Sequence, residues 1–295
     1  MDNDLMTMNT VADRMEIIKT VFQDAKDYAE AVEDTNELLS HLENTNPEFR
    51  SVAYEGASMA LALKDFVRMD SFGANDNSLK RWNAFMNVSE NHAAQVYIGL
   101  GWAAAQEKRA ALSFMNTHNP VMQLRVWDGC GYYDGIFRQR HTVKSQIRHD
   151  YIPENSYTMY DQGLGRCLWY LCKGDETKIP EMIKQFSSSR HPDLWRGLGI
   201  ACAYVGGCDA MIFKTLSASA GQDRTQLGIG AAMAAKARIL ANSVTKDIEL
   251  ACNAWCDLSA QDAMHMAVKT ETSAGSSFTT WLLQMETELQ KKVRS

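Results

Sequence analysis

The chain has little proline and no long uncharged apolar run. Five prolines in 295 residues, set against abundant alanine, leucine and methionine, favour helix over strand. The most apolar stretch, Leu198 to Phe213, is broken by glycine and carries Asp209. It falls short of the roughly 18 uncharged residues that a membrane span requires. The opening string MDNDLMTMNTVADR is acidic and lacks the apolar centre of a signal peptide. These absences lead to the expectation of a soluble, cytoplasmic protein without a membrane span. A formal charge of −6 makes nucleic acid an unsuitable partner for the whole surface.

Familiar chemical signatures are also missing. The seven cysteines form no CxxC pair and no Cys/His zinc pattern. Cys252 and Cys256 stand one helical turn apart but bring no further ligands, so no metal is expected. The thiols read as small reduced core residues. No GxGxxG, GxxxxGK[ST], nucleophile elbow, HExxH or EF-hand string occurs. The sequence therefore names no cofactor, and it does not set an oligomeric state.

What the chain has in place of these is a recurring glycine pair. Gly99/Gly101, Gly129/Gly131, Gly163/Gly165, Gly197/Gly199 and Gly228/Gly230 begin 30, 34, 34 and 31 residues apart. A period of about 30–34 residues points to one supersecondary unit copied several times. The expected fold is all-α: helical-hairpin repeats forming a TPR-like α-solenoid or an α/α barrel-like array. The W-x2-L-G spacing of Trp195, Leu198 and Gly199 matches a tetratricopeptide, with Cys202 at the usual tyrosine position. The expected organisation is an N-terminal helix and cap over 1–48, the repeat domain over 49–270, and a C-terminal helix and cap over 271–295.

Helical spacing of apolar residues runs from Val11 to Leu42, and a second helix is expected from about Phe49 to Arg68. Polar breaks follow at Asp70–Ser78, Asn116–Pro120, Lys173–Glu176, Ser187–Pro192, Val205–Asp209 and Ala220–Asp223. The stretch between Phe137 and Tyr157 is longer and less periodic than a repeat turn needs, as functional loops often are.

Chemistry is best accommodated in and after Val126-Trp-Asp-Gly-Cys-Gly-Tyr-Tyr-Asp-Gly-Ile-Phe137. Asp128 and Asp134 are six residues apart, so they share a site only if the glycines bend the chain. Paired carboxylates in an aromatic pocket separate their pKa values and supply one acid and one base. The structural alternative makes Asp128 a helix cap and leaves Asp134 exposed. Downstream, Arg138, Arg140, His141, Lys144, Arg148 and His149 form a basic cluster suited to a phosphate, a diphosphate or an acidic carrier. His141 is the candidate general base, and His149-Asp150 is a weaker pair. Asp161 and Glu55 are further candidate carboxylates, and Arg166 a further anion ligand. Tyr54, Trp102, Trp127, Tyr132, Tyr133 and Trp169 are candidate pocket walls, with core packing as their structural alternative.

Six ordered strings resemble a known family: Tyr54-Glu-Gly-Ala-Ser-Met59, Ile98-Gly-Leu-Gly-Trp-Ala103, Asp128 through Phe137, Asp161-Gln-Gly-Leu-Gly-Arg166, Asp193-Leu-Trp-Arg-Gly-Leu-Gly199, and Gly230 through Arg238. They are similar to the UnbL-like proteins of unknown function associated with enediyne biosynthesis, over roughly residues 11 to 270. The resemblance implies a natural-product setting and carries no assigned reaction. Tyr133 stands where a histidine is common in that pattern.

The leading expectation is a natural-product enzyme of the isomerase or cyclase type, binding a long apolar polyketide or polyene. Its substrate is hydrophobic, carrier-linked or phosphorylated. Asp128, Asp134 and His141 would do the acid–base work, with Glu55 and Asp161 in support. Arg138, Arg140 and Arg166 would hold an anionic end. The alternatives are an isoprenoid cyclase, for which no DDxxD or DxDD string is present, and a non-catalytic TPR-like interaction module.

Overall fold

A computed structural model of the chain describes residues 10–72, 79–109, 120–275 and 277–293. Among the described residues every regular element is helical, in keeping with the all-α expectation. The chain divides into two compact units, one of residues 18–160 and one joining residues 1–17 to 161–295.

The unit of residues 18–160 contains most of α1 (Val11–Ala31), then α2 (Thr35–Glu43), α3 (Pro47–Phe72), α4 (Lys80–Asn87), α5 (Ala93–Gln106), α6 (Pro120–Gln123) and α7 (Arg125–Phe137). The periodic run from Val11 to Leu42 is two helices, because Asp34 intervenes in extended conformation. Its carboxylate accepts from the Asn36 and Glu37 N–H groups and so caps α2. Asn44-Thr-Asn ends that helix, and Pro47 opens α3, where its missing N–H is harmless. The expected loop from Asp70 is still helical at Phe72, and its residues 73–78 lie outside the described ones. The expected turn at 116–119 lies outside them as well, as do residues 1–9.

In the other unit the order is the rest of α8 (Tyr157–Leu171), α9 (Lys178–Lys184), α10 (His191–Val205), α11 (Ala210–Ala220), α12 (Arg224–Leu240), α13 (Lys246–Cys256), α14 (Ala260–Ala274) and α15 (Phe278–Val293). Pro192 lies in the first turn of α10, and Gly206 ends that helix at a φ of 76°, a conformation glycine adopts without strain.

Eight of the ten glycines in these pairs lie against the backbone of another helix. Residues i and i+2 of a helix lie roughly 200° apart around its axis, so Gly-x-Gly removes side chains from two opposite faces. In α5, a Cβ on Gly99 would sit 2.2 Å from the Glu55 carbonyl oxygen of α3, and one on Gly101 would sit 2.0 Å from that of Val126 in α7. In α10, Gly197 meets the Gln162 carbonyl of α8 at 1.9 Å and Gly199 meets that of Leu227 in α12 at 2.4 Å. Any larger residue would force these backbones apart.

A buried polar thread accompanies this packing in the 161–293 portion. Arg196, 1% exposed, donates through Nε to Gln162 Oε1 at 2.6 Å and through Nη1 to Gln226 Oε1 at 3.1 Å. Its Nη2 reaches Asp193 Oδ1 at 2.6 Å. The guanidinium thus ties α8, α10 and α12 together and keeps its charge paired.

Candidate functional site

Helix α7 is unbroken through its glycines. The bend that would bring Asp128 beside Asp134 does not form, and the two carboxylates lie roughly 120° apart around the axis and about 9 Å along it. Neither is a cap or an exposed residue: both are fully buried. Asp128 sits in the first turn, where the helix dipole favours an anion, whereas Asp134 sits in the last, where the dipole opposes it.

Asp134 is compensated by a convergent set of donors. Tyr151 Oη donates to Oδ2 at 2.8 Å and Tyr160 Oη to the same oxygen at 2.9 Å. Arg138, one turn on, pairs with Oδ1. The same guanidinium donates to the Ala105 carbonyl at 2.8 Å, at the end of α5, where helix carbonyls lack partners within their own helix. His149 Nε2 lies 3.8 Å from Asp134 Oδ2. That distance is too long for a hydrogen bond, and among the described residues none reaches this buried nitrogen.

After α7 the chain makes a π-helical turn, Arg140–Lys144, a form that recurs at functional sites. Thr142 pins this turn by donating to the carbonyls of Asp134 at 3.0 Å and Arg138 at 2.9 Å. The turn brings His141 onto His149, with ring centroids 4.2 Å apart and planes 19° apart, and His149 in turn stacks on Tyr151. Arg140 and Lys144 are exposed on it.

The electrostatics follow from this enclosure. Burial pushes the Tyr151 phenol far above its ordinary pKa, with Cys130 and Asp134 adding to the effect, so it remains a proton donor to Asp134. Burial likewise raises the Cys130 thiol well above the usual range, which leaves it inert. Burial lowers the pKa of His149; Asp134 opposes this, while His141 and Arg138 reinforce it. For Arg138, burial acts against the charge, and the hydrogen bond and attraction of Asp134 prevail and hold its pKa up.

Beside this cluster runs an aromatic ridge. Trp102 of α5 contacts Phe22 at 4.9 Å, Tyr132 at 4.9 Å, Tyr133 at 5.7 Å and Phe137 at 6.1 Å between ring centroids. The ridge passes from Trp102, 7% exposed, to Phe137, 62% exposed. Arg138 lies over the Tyr133 ring at 5.2 Å.

The remaining candidates lie elsewhere. Asp161 forms a buried bidentate pair with Arg190, its Oδ1 and Oδ2 accepting at 2.6 and 2.9 Å. Glu55 is buried on α3, and its neighbour Tyr54 stacks on His92. Trp127 and Trp169 are fully buried core residues. Arg166 is half-buried on α8. All seven cysteines are buried and unbridged. Tyr151, Tyr160 and Thr142 are parts of the cluster that sequence spacing did not single out. A run of Tyr and His inside an irregular loop was the available signal.

Among the described residues no group of three or more His, Cys, Asp or Glu side chains is placed to hold a metal ion, and no helix is long and apolar enough to cross a membrane. Residues 5–285 match the model of a family described as protein of unknown function, DUF1702. The chain belongs to the DUF1702 family. Nothing among curated proteins or solved structures matches it. The DUF1702 match covers both the Asp134 cluster and the glycine-paired helices.

Proposed function

We propose that the chain is a cytoplasmic enzyme of natural-product biosynthesis that moves protons on a long apolar substrate of the polyketide or polyene kind, in an isomerisation or cyclisation. The observation supporting this reading is the fully buried Asp134, held by two phenols and a guanidinium, with the stacked His149–His141 pair beside it. His149, whose lowered pKa favours the neutral ring, is the acid–base group in place of the Asp128/Asp134 pair. It takes a proton from a carbon of the substrate, and the imidazolium so formed is stabilised by Asp134. The imidazolium exchanges its proton with solvent and returns one to another carbon, which completes an isomerisation with no net loss of atoms.

Asp134 is a positioning residue in this scheme. Tyr151 and Tyr160 hold its carboxylate in place, and Arg138 fixes its charge. Trp102, Tyr133 and Phe137 offer an apolar track for the chain of the substrate, and Arg140 and Lys144 offer charge to an anionic or carrier-linked end. The test is metabolite profiling of producing cells complemented with wild-type protein or with His149→Gln, the fold being checked by circular dichroism. A folded variant that accumulates the unconverted precursor supports the reading, and one that yields the wild-type products refutes it.

A further inference from the structure

A second polar site lies beside the N-terminal part of α3. A cavity of about 270 Å³ is lined by Glu43, Tyr54, Ser89, Glu90, Asn91 and His92, among others. Its walls are built. Tyr54, 3% exposed, donates to Glu43 Oε1 at 2.7 Å, and its ring stacks with His92 at 4.0 Å and with Phe85 at 5.5 Å. Ser51 Oγ lies 2.8 Å from His92 Nδ1 and fixes the imidazole. Arg50 Nη1 takes Glu43 Oε2 at 2.8 Å from outside the lining. Ser51 is only 1% exposed and does not line the cavity, so the Ser51–His92 pair is a buttress and not a nucleophile with its base.

One wall group is left over. Ser89 is 2% exposed, and among the described residues its hydroxyl has no hydrogen-bond partner. A buried hydroxyl without a partner is costly unless something arrives to satisfy it. Among the described residues, the charged side chains of the lining have one sign. Glu43 and Glu90 contribute carboxylates, and neither Lys nor Arg lines the space. Burial pushes the His92 imidazole down to about 4, so that ring is neutral at neutral pH. With Arg50 counted, the site still carries one net negative charge.

We infer that this cavity binds a small primary ammonium compound, its N–H groups donating to Ser89 Oγ, the Glu43 carboxylate and Tyr54 Oη. An ammonium offers three donors and no acceptor, which suits the carboxylate and hydroxyl oxygens of this wall. The volume corresponds to on the order of nine water molecules, which limits the ligand to a handful of heavy atoms. The inference is independent of the acid–base reading of His149.

The probe is n-butylammonium, titrated into the intact protein while the His92 and Tyr54 ring resonances are followed by NMR, with acetate and glycerol as controls. The expected result is saturable shifts at both rings with butylammonium alone. The affinity falls about tenfold in Glu43→Gln, which loses a charged acceptor, and severalfold in Ser89→Ala, which keeps the Glu43–Tyr54 wall. His149→Gln binds as wild type does. Absence of saturable shifts at millimolar probe, equal shifts with acetate, or unchanged affinity in folded Ser89→Ala would each overturn the proposal.

Discussion

Gly101 and Gly129 face each other so closely that a Cβ built on Gly101 would lie 2.8 Å from the Gly129 Cα and 2.0 Å from the Val126 carbonyl oxygen. Helices α5 and α7 therefore touch backbone to backbone, and α7 carries Asp134. The depth of the site is set by this contact.

Gly101→Ala is accordingly expected to lower stability by about 3 kcal/mol, since neither backbone can move without disturbing the next helix. Gly275→Ala is the contrasting case. Nothing lies within 4 Å of its added methyl, but its φ of 63° with a ψ of −125° is a conformation that residues with a Cβ rarely adopt, and the cost there is about 1–3 kcal/mol from backbone strain alone. Urea denaturation of the two variants measures both losses.

Asp161→Asn is predicted to act through stability and not through chemistry. It leaves the buried guanidinium of Arg190 facing an amide in place of a carboxylate, and breaking such a pair costs about 3–5 kcal/mol. A melting midpoint close to that of wild type would contradict this assignment of Asp161.

Acid sensitivity is expected from His92. Its pKa is lowered from 6.5 in the unfolded chain to about 4 in the fold, chiefly by burial. Between those values the unfolded chain binds more protons, so stability falls as pH drops through that window and levels off below it. The loss amounts to about 3 kcal/mol. Denaturation at pH 7.5 and pH 4.5 measures it, and His92→Gln flattens the dependence.

Phe137→Ala separates binding from folding. The ring is 62% exposed, so its removal is expected to change stability by no more than about 0.5 kcal/mol. Product yield falls nevertheless if the aromatic ridge holds the substrate. A folded variant with full yield removes Phe137 from the binding track.

The helical class was legible because it rests on local propensity and on a period visible in the chain. The polar cluster was legible only in part. Asp134 and Arg138 stand one helical turn apart, so their pairing follows from spacing. Tyr151 and Tyr160 lie 17 and 26 residues from Asp134, and their approach depends on a π-helical turn that no periodicity announces. Asp128 and Asp134 looked like partners only if glycine bent the helix. Gly129 serves interhelical contact instead, and the unbroken helix keeps the two acids apart. Asp161 lacked a visible partner because Arg190 is 29 residues away and on another helix.

The most direct test of the acid–base account is solvent-deuterium incorporation. An extract of producing cells that lack the protein is supplied, in D2O, with wild-type protein or with folded His149→Gln, and the product is analysed by mass spectrometry. The account predicts carbon-bound deuterium in the product with wild-type protein and its loss with the variant. Equal labelling by both would contradict it.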